Sequence, residues 1–387
     1  MGRFNIHSMA SNPFKYGEEV SGGDFCNRKK EIATLTEYIK AGNKVLLYSP
    51  RRWGKTSLIK EAISRLPKKG YVIIYADLYS MIKEEQFNQI LAQAFAKSFD
   101  SAVEKTIKTI RGLLSSFVPK VTMDPAGNIG FEFGFDSSKR GGVLTEELLD
   151  GIARHISGGK KKGIVVFDEF QQVGELEDDR IEKILRSKIQ GHAGIAYIFA
   201  GSKRHLLLEM FSDPSRPFYK SVIHFPLPPM PRPELEAFII AKFEGSKMKI
   251  GPKVLSYLLD FTQCHPYYTQ ELCFHLWEMA ANEGKEISAD SVIKTINKIL
   301  SIENASYQNV FELLTRGQKI AMRALSSLQK DEMPFSSVFL KREGIATADS
   351  FRKALESLVQ KGLIEKEDGS YMIYDVFFKE WLKKRGG

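Results

Sequence analysis

Residues 45–60, Val-Leu-Leu-Tyr-Ser-Pro-Arg-Arg-Trp-Gly-Lys-Thr-Ser-Leu-Ile-Lys, constrain this chain more than any other stretch. A β-rich apolar run (45–48) feeds a tight loop carrying Gly54-Lys55-Thr56. A helix with apolar positions Leu58, Ile59, Ala62, Ile63 and Leu66 follows. A polyphosphate-binding loop needs that order. Successive backbone N–H groups and a helix N-terminus surround phosphate oxygens, Lys55 reaches the β- and γ-phosphates, and the Thr56 hydroxyl ligates Mg²⁺. The pattern G-x-x-x-x-G-K-[ST] asks for Gly at position 49, and this chain has Ser49. Serine can still take part in the loop but lacks glycine's freedom at positive φ.

The surrounding pattern predicts an α/β P-loop NTPase fold, a parallel sheet flanked by helices, over residues 22–230. Candidate core strands are 45–48, 72–77, 163–167, 196–200 and 222–225, whose continuous apolar character suits strands covered on both faces. An insertion at about 99–145 separates the second and third strands. Between these two strands 86–117 reads as helix, 121–122 with 130–135 as a hairpin around Asp124-Pro125-Ala126-Gly127-Asn128, and 136–142 as a mobile polar stretch. Prolines 226, 228, 229, 231 and 233 mark the best domain boundary. An all-α lid domain is expected over 231–306, with helices at 235–243, 252–262, 267–282 and 289–302, and a winged-helix domain over 307–387. In the latter, 315–328 and 348–360 read as helices, the second with Phe351, Ala354, Leu355, Leu358 and Val359 on one face. Residues 363–366, the turn Glu367-Asp368-Gly369 and residues 371–374 form the expected wing, before a last helix carrying Phe377, Phe378, Trp381 and Leu382.

A second chemical constellation sits at Ile164-Val165-Val166-Phe167-Asp168-Glu169, an apolar strand ending in two carboxylates. In a phosphate-loop sheet the strand beside the loop ends close to the bound metal. Asp168 can then orient Mg²⁺ and its waters while Glu169 polarises the attacking water. The next strand runs into Gly201-Ser202-Lys203-Arg204. Ser202 there could sense the γ-phosphate or cap a helix, and Arg204 is the nearest charge.

Composition adds exclusions rather than assignments. The 387 residues imply two or three domains, and 43% hydrophobic with 27% charged content fits a soluble globular class. No apolar run approaches the roughly 20 residues of a membrane helix, and the N-terminus lacks a secretory h-region. Residues 1–21 read as a flexible leader in which 2–8 look like a non-native extension before Met9. Cys26, Cys264 and Cys273 fit free thiols in a reducing cytoplasm. Near His265 and His275, Cys264 and Cys273 read as buried helix residues in preference to metal ligands. The formal charge of +9 permits nucleic acid without requiring it, and residues 301–387 carry fourteen Lys/Arg against twelve Asp/Glu, too balanced for a strongly basic module.

Together these residues resemble the archaeal-type ATPases of the STAND branch of AAA+ proteins, in order over about 22–385. Phe25-Cys26-Asn27-Arg28-Lys29-Lys30-Glu31 looks like that family's Phe-x-x-Arg-x-x-Glu box, which implies Phe25 and Arg28 near the adenine. The loop Pro50-Arg51-Arg52-Trp53-Gly54-Lys55-Thr56-Ser57 is similar to the family's phosphate loop, Asp168-Glu169-Phe170-Gln171 to its magnesium and catalytic box, and Ala200-Gly201-Ser202 to its sensor strand. His265-Pro266-Tyr267-Tyr268 with Gln270 resembles the lid motif Gly-x-Pro, implying Pro266 near the base, although Cys264 stands where that Gly is expected. Tyr374-Asp375 and Trp381 also fit the winged-helix end. The family often completes its site with an arginine from a neighbouring subunit, and Arg216 is the candidate, a structural salt bridge being the alternative.

The resemblance implies ATP/ADP and Mg²⁺ as ligands and an ATP-dependent switch with slow hydrolysis, acting on an unknown protein effector, with a possible homo-oligomer; the composition itself leads to the expectation of a cytoplasmic protein with no membrane association. The competing expectation is a DNA-binding regulatory or mobile-element protein that engages DNA through the winged helix. Its recognition-like helix offers Ser350, Arg352, Lys353 and Glu356.

Overall fold

The computed structural model describes residues 11–385 except 21, 27, 68, 100, 101, 128, 137, 140, 160, 284, 285, 330, 331 and 368. The expected extension at 2–8 and Asp368 of the expected turn lie outside the described residues. The chain divides into two compact units. One is Arg28–Pro228, and the other joins the described residues before Arg28 to the described residues from Pro229 on.

In the α/β unit the elements run α1 (Lys29–Ala41), β1 (Lys44–Tyr48), α2 (Lys55–Ser64), β2 (Tyr71–Asp77), α3 (Glu84–Lys97), α4 (Val103–Leu113), β3 (Phe117–Met123), β4 (Ile129–Phe135) and α5 (Gly141–Gly158). They continue through β5 (Lys162–Asp168), α6 (Gln171–Gly174), α7 (Arg180–Gly191), β6 (Ile195–Gly201), α8 (Arg204–Ser212) and β7 (Ile223–Pro226). The five expected strands form one parallel sheet in the order β2-β5-β6-β1-β7. β6 is buried along its whole length and β5 from Gly163 on. That explains their unbroken apolar runs: helices cover both faces, and each residue position meets apolar neighbours. All five strands end on the same side. Phe167 lies opposite Phe199, Leu47 opposite Ala200, Tyr48 opposite Gly201 and Asp77 opposite Asp168.

The insertion departs from the sequence reading. The single helix expected over 86–117 is two helices, α3 ending where the Ser98 hydroxyl bonds back to the Phe95 carbonyl at 2.7 Å. Phe117 is drawn instead into the β3–β4 hairpin opposite Phe135. The stretch expected to be mobile ends in the first turn of α5, which starts at Gly141.

The other unit is helical up to its wing: α9 (Arg232–Gly245), α10 (Pro252–Thr262), α11 (Pro266–Glu283), α12 (Ala289–Glu312), α13 (Arg316–Ser327), α14 (Ser337–Arg342), α15 (Ala348–Gln360), β8 (Glu365–Glu367), β9 (Ser370–Met372) and α16 (Val376–Arg385). Start signals sit where helices begin. Ser288 and Thr315 form capping boxes, and Thr347 accepts from the Ser350 N–H. The separation expected at 306/307 falls inside α12, and one hydrophobic core joins Phe14, Cys26 and Met230 to side chains from Leu235 through Leu382. α12 is bound to the C-terminal helix by Trp381 Nε1 donating to Asn304 Oδ1 at 2.9 Å, and Tyr307 stacks on Phe378.

Residues 11–20, expected to be a flexible leader, are held in this unit. Phe14 is 1% exposed and lies 4.8 Å from the Phe243 ring, Asn12 Nδ2 donates to the Phe274 carbonyl at 3.0 Å, and Tyr16 bonds His275. No helix among the described residues is long and apolar enough to cross a membrane.

Candidate functional site

The phosphate loop leaves β1 at Tyr48 and enters α2 at Lys55. Its backbone uses the left-handed region at Arg52 (φ 63°) and at Gly54 (φ 83°), the latter capping α2. Ser49 is outside that region, so the residue substituted for glycine does not need glycine's freedom. Buried Ser49 instead turns its hydroxyl to the Pro50 carbonyl at 3.3 Å. Gly54 accepts from the Leu58 N–H at 2.8 Å and starts the helix. The remaining N–H groups at the head of α2, with the helix dipole, favour an anion there. Lys55 is 6% exposed, and its ammonium lies against the loop, donating to the carbonyls of Ser49 at 3.1 Å and Pro50 at 3.2 Å. Arg51 and Arg52 are exposed, whereas Pro50, Trp53 and Thr56 are half-buried and Ser57 is buried.

Folding brings this loop to the carboxylates. Thr56 Oγ1 donates to Asp168 Oδ2 at 2.8 Å, and the Tyr75 hydroxyl donates to the same oxygen at 2.5 Å. Asp168 Oδ1 accepts the Glu169 N–H at 3.0 Å. Thr56 and Asp168 therefore present hard oxygen donors side by side, and this donor set fits Mg²⁺ rather than a soft metal. Glu169 sits just past the end of β5 with φ 52°, an uncommon conformation for a residue with a side chain. Its Oε2 accepts from Ser202 Oγ at 2.9 Å and from Gln171 Nε2. Gly201 makes that arrangement possible, because a Cβ there would lie 2.0 Å from Gln171 Oε1. The structure thus turns Ser202 to the second carboxylate.

Sequence reading missed Tyr75 and gave Gln171 no role. Tyr75 lies on the half-exposed face of β2, whose alternation (Val72, Ile74 and Ala76 buried) was its only signal. Arg204 places its guanidinium 5.9 Å from the Tyr48 ring.

Arg28 is 1% exposed with φ 50° and donates to the Pro228 carbonyl at 2.9 Å, which joins the two ends of the α/β unit. Phe25 and Pro266 belong to the other unit, so the Phe-x-x-Arg-x-x-Glu box straddles the division at 27/28. Pro266 opens α11, and Gln263 and Cys264 before it take φ of 53° and 55°. Cys264 thus keeps the left-handed backbone that a glycine would supply. Cys273 is fully buried in α11 and its thiol is pushed up by desolvation. Arg216 donates to Glu182 at 2.5 Å, and Glu182 is 1% exposed. Burial pushes that carboxyl up to about 7 against the pull of Arg216. The structure therefore engages Arg216 in a structural ion pair within its own chain.

Residues 25–209 match the model of an ATPase domain predominantly from Archaea, and residues 305–384 match a probable winged helix domain. No curated protein matches the chain significantly. Among solved structures the fold is similar to a Walker-type ATPase of Pyrococcus abyssi, with TM-score 0.61 and 16% identity over 96% of this chain and 99% of that one. It is also similar to the Aeropyrum pernix ORC2 protein in its ADPNP–ADP complexes, with TM-score 0.56 and 13% identity over 94% and 95% of the two chains. The Aeropyrum pernix ORC1 protein in complex with DNA gives TM-score 0.50 and 13% identity over 95% and 94%. Such identities speak for the fold alone. The loop and carboxylates assembled past the ends of the inner strands β1 and β5 agree with these matches: residues 25–209 form a P-loop ATPase domain of archaeal type, and residues 305–384 a winged helix.

Proposed function

We propose that the chain is a Mg²⁺-dependent, slowly hydrolysing ATP switch whose nucleotide state governs its lid and winged-helix elements. The carrying observation is the joining of Thr56 to Asp168 and of Ser202 to Glu169 beside the phosphate loop. In this reading Lys55 leaves the loop carbonyls for the β/γ-phosphates, while the α2 N-terminus and loop N–H groups bind phosphate oxygens. Thr56 and Asp168 hold Mg²⁺, which supplies charge neutralisation at the phosphates when bound. Glu169 accepts a proton from the attacking water, and Ser202 and Gln171 fix its carboxylate so that little reorganisation is needed. Arg204, beside Tyr48 at the start of the loop, is the in-chain alternative to Arg216 as the arginine facing transition-state charge, and Arg216 would have to leave Glu182 to act there. Slow turnover follows if no further arginine is supplied by a partner.

Lys55→Ala should abolish nucleotide binding, and Glu169→Gln should retain ATP without turnover. Hydrolysis surviving both substitutions would remove the assignment. A second reading, engagement of DNA, draws on the winged helix and on the similarity to a fold that was solved on DNA.

A further inference from the structure

The winged-helix portion holds a cationic cavity that the nucleotide chemistry does not use. Phe311, at the end of α12, and Arg316, Lys319, Ile320 and Arg323 of α13 line a space of about 490 Å³. Their spacing puts them there: positions i, i+3, i+4 and i+7 share one helical face, opposite Ala321, Met322 and Leu325, which enter the core. The Phe311 ring organises two of the cations, with Lys319 Nζ 5.6 Å and Arg323 Cζ 5.3 Å from its centroid. Attraction to the ring holds the charges in place and keeps their stems packed.

None of the three cations makes an ion pair among the described residues. Three other cations of this part of the chain are paired: Arg342 with Glu332 and Glu343, Lys353 with Asp349, Lys383 with Glu380. Glu312, next to Phe311, accepts instead from Gln308 at 2.7 Å. On α15, the expected recognition helix, Lys353 is paired with Asp349, and Arg352 lies by itself over a ring, 5.3 Å from Phe335, where α13 gathers three cations around Phe311.

We propose that this α12–α13 face binds the phosphate backbone of DNA, with Arg316, Lys319 and Arg323 each opposite a phosphate. Arg316 and Arg323 are seven positions apart, about 10 Å along the helix, the axial rise of about three nucleotide steps of one strand at roughly 3.4 Å each, so three long side chains can reach separate phosphates. Guanidinium forks suit phosphate geometry, and a regular row of fixed anions suits a regular row of fixed cations. An acidic peptide carries its carboxylates on flexible stems without that repeat. The contact is sequence-independent and positions the chain on DNA. It does not rest on nucleotide binding by the α/β unit.

The test is anisotropy of a fluorescent duplex of about two helical turns titrated with the full chain between about 50 and 200 mM salt. The variant Arg316→Gln/Lys319→Gln/Arg323→Gln should lower the steepness of log affinity against log salt by about 2 to 3, at about 0.9 per phosphate. Each single substitution should remove about one unit, which keeps the test valid if the triple variant folds poorly. ATP binding, measured separately, should be unchanged in these variants, so a failure here and a failure of the nucleotide assignment are separable. No DNA binding by the parent chain, or an unchanged slope in the variants, overturns the proposal. So does a slope lost in Arg352→Gln/Lys353→Gln but kept in the α13 set. Polyglutamate is the acidic-protein probe; if the α13 variants lose polyglutamate binding and keep DNA binding, the partner is an acidic protein and the proposal fails.

Discussion

The Tyr75 hydroxyl is the residue-level feature most open to direct test. It donates at 2.5 Å to Asp168 Oδ2, and Asp168 is 5% exposed. Tyr75→Phe removes one donor and keeps the ring under Lys60, whose ammonium lies 5.4 Å from it. Asp168 then retains the Thr56 hydroxyl and the Glu169 N–H. A hydrogen bond to a charged group contributes about 1.5–3 kcal/mol, and loss of one donor of three from a buried carboxylate should fall within that range. Hydrogen exchange in the 162–168 strand should therefore accelerate about tenfold to a hundredfold, since about 1.4 kcal/mol is a factor of ten and core strands open with the unit as a whole. The control is a double-mutant cycle. In an Asp168→Ala background the same Tyr75→Phe change should have little further effect, giving a coupling energy of at least about 1 kcal/mol. Equal acceleration in both backgrounds would show that Tyr75 acts through packing, and the hydrogen-bond argument would be refuted.

Three further expectations follow from the same geometry. Ser202→Ala leaves Gln171 as the side-chain donor to Glu169 Oε2, so kcat for ATP should fall about tenfold while nucleotide affinity holds; lost affinity at unchanged kcat would instead mark Ser202 as a phosphate contact. Burial raises the Glu182 carboxyl to about 7 from 4.5, so its contribution favours folding below pH 4.5 and is lost as pH rises through about 7. Relative to Glu182→Gln, which cannot ionise, the parent chain should lose thermal stability across that window; parallel Tm–pH curves would contradict this. At Gly163 an added Cβ would lie 2.6 Å from Ile156 Cδ1 and 3.0 Å from Ile195 Cγ2, so Gly163→Ala should cost about 1–3 kcal/mol by overpacking. A Tm equal to or above that of the parent chain would count against this packing.

Much of the nucleotide site is legible because its signals are local. A strand, a Gly54-Lys55-Thr56 turn and a helix are contiguous, and Asp168-Glu169 closes an apolar run whose burial on both faces dictates its composition. The same locality explains the capping boxes at Ser288 and Thr315. Ser49 shows where a pattern overstates its need, since the backbone conformation that glycine would allow is not used there.

Only tertiary structure could decide contacts between distant parts of the chain. Phe14 is anchored because Phe243 and its neighbours form a pocket for it, and nothing in residues 11–20 announces that pocket. Arg216 reads equally well as a catalytic finger or a salt bridge until Glu182 is seen buried beside it. Tyr75 gains its role from β2 lying beside β5, and Ser202 turns to Glu169 because β6 ends beside β5. In the C-terminal tail, fourteen basic against twelve acidic residues average to near neutrality along the sequence. Folding pairs several of these charges with one another and leaves Arg316, Lys319 and Arg323 together around Phe311. The sequence determines which chemistry the chain can carry, because strand, loop and helix propensities act over a few residues. Which side chains meet, and which charges stay unneutralised, depends on long-range packing.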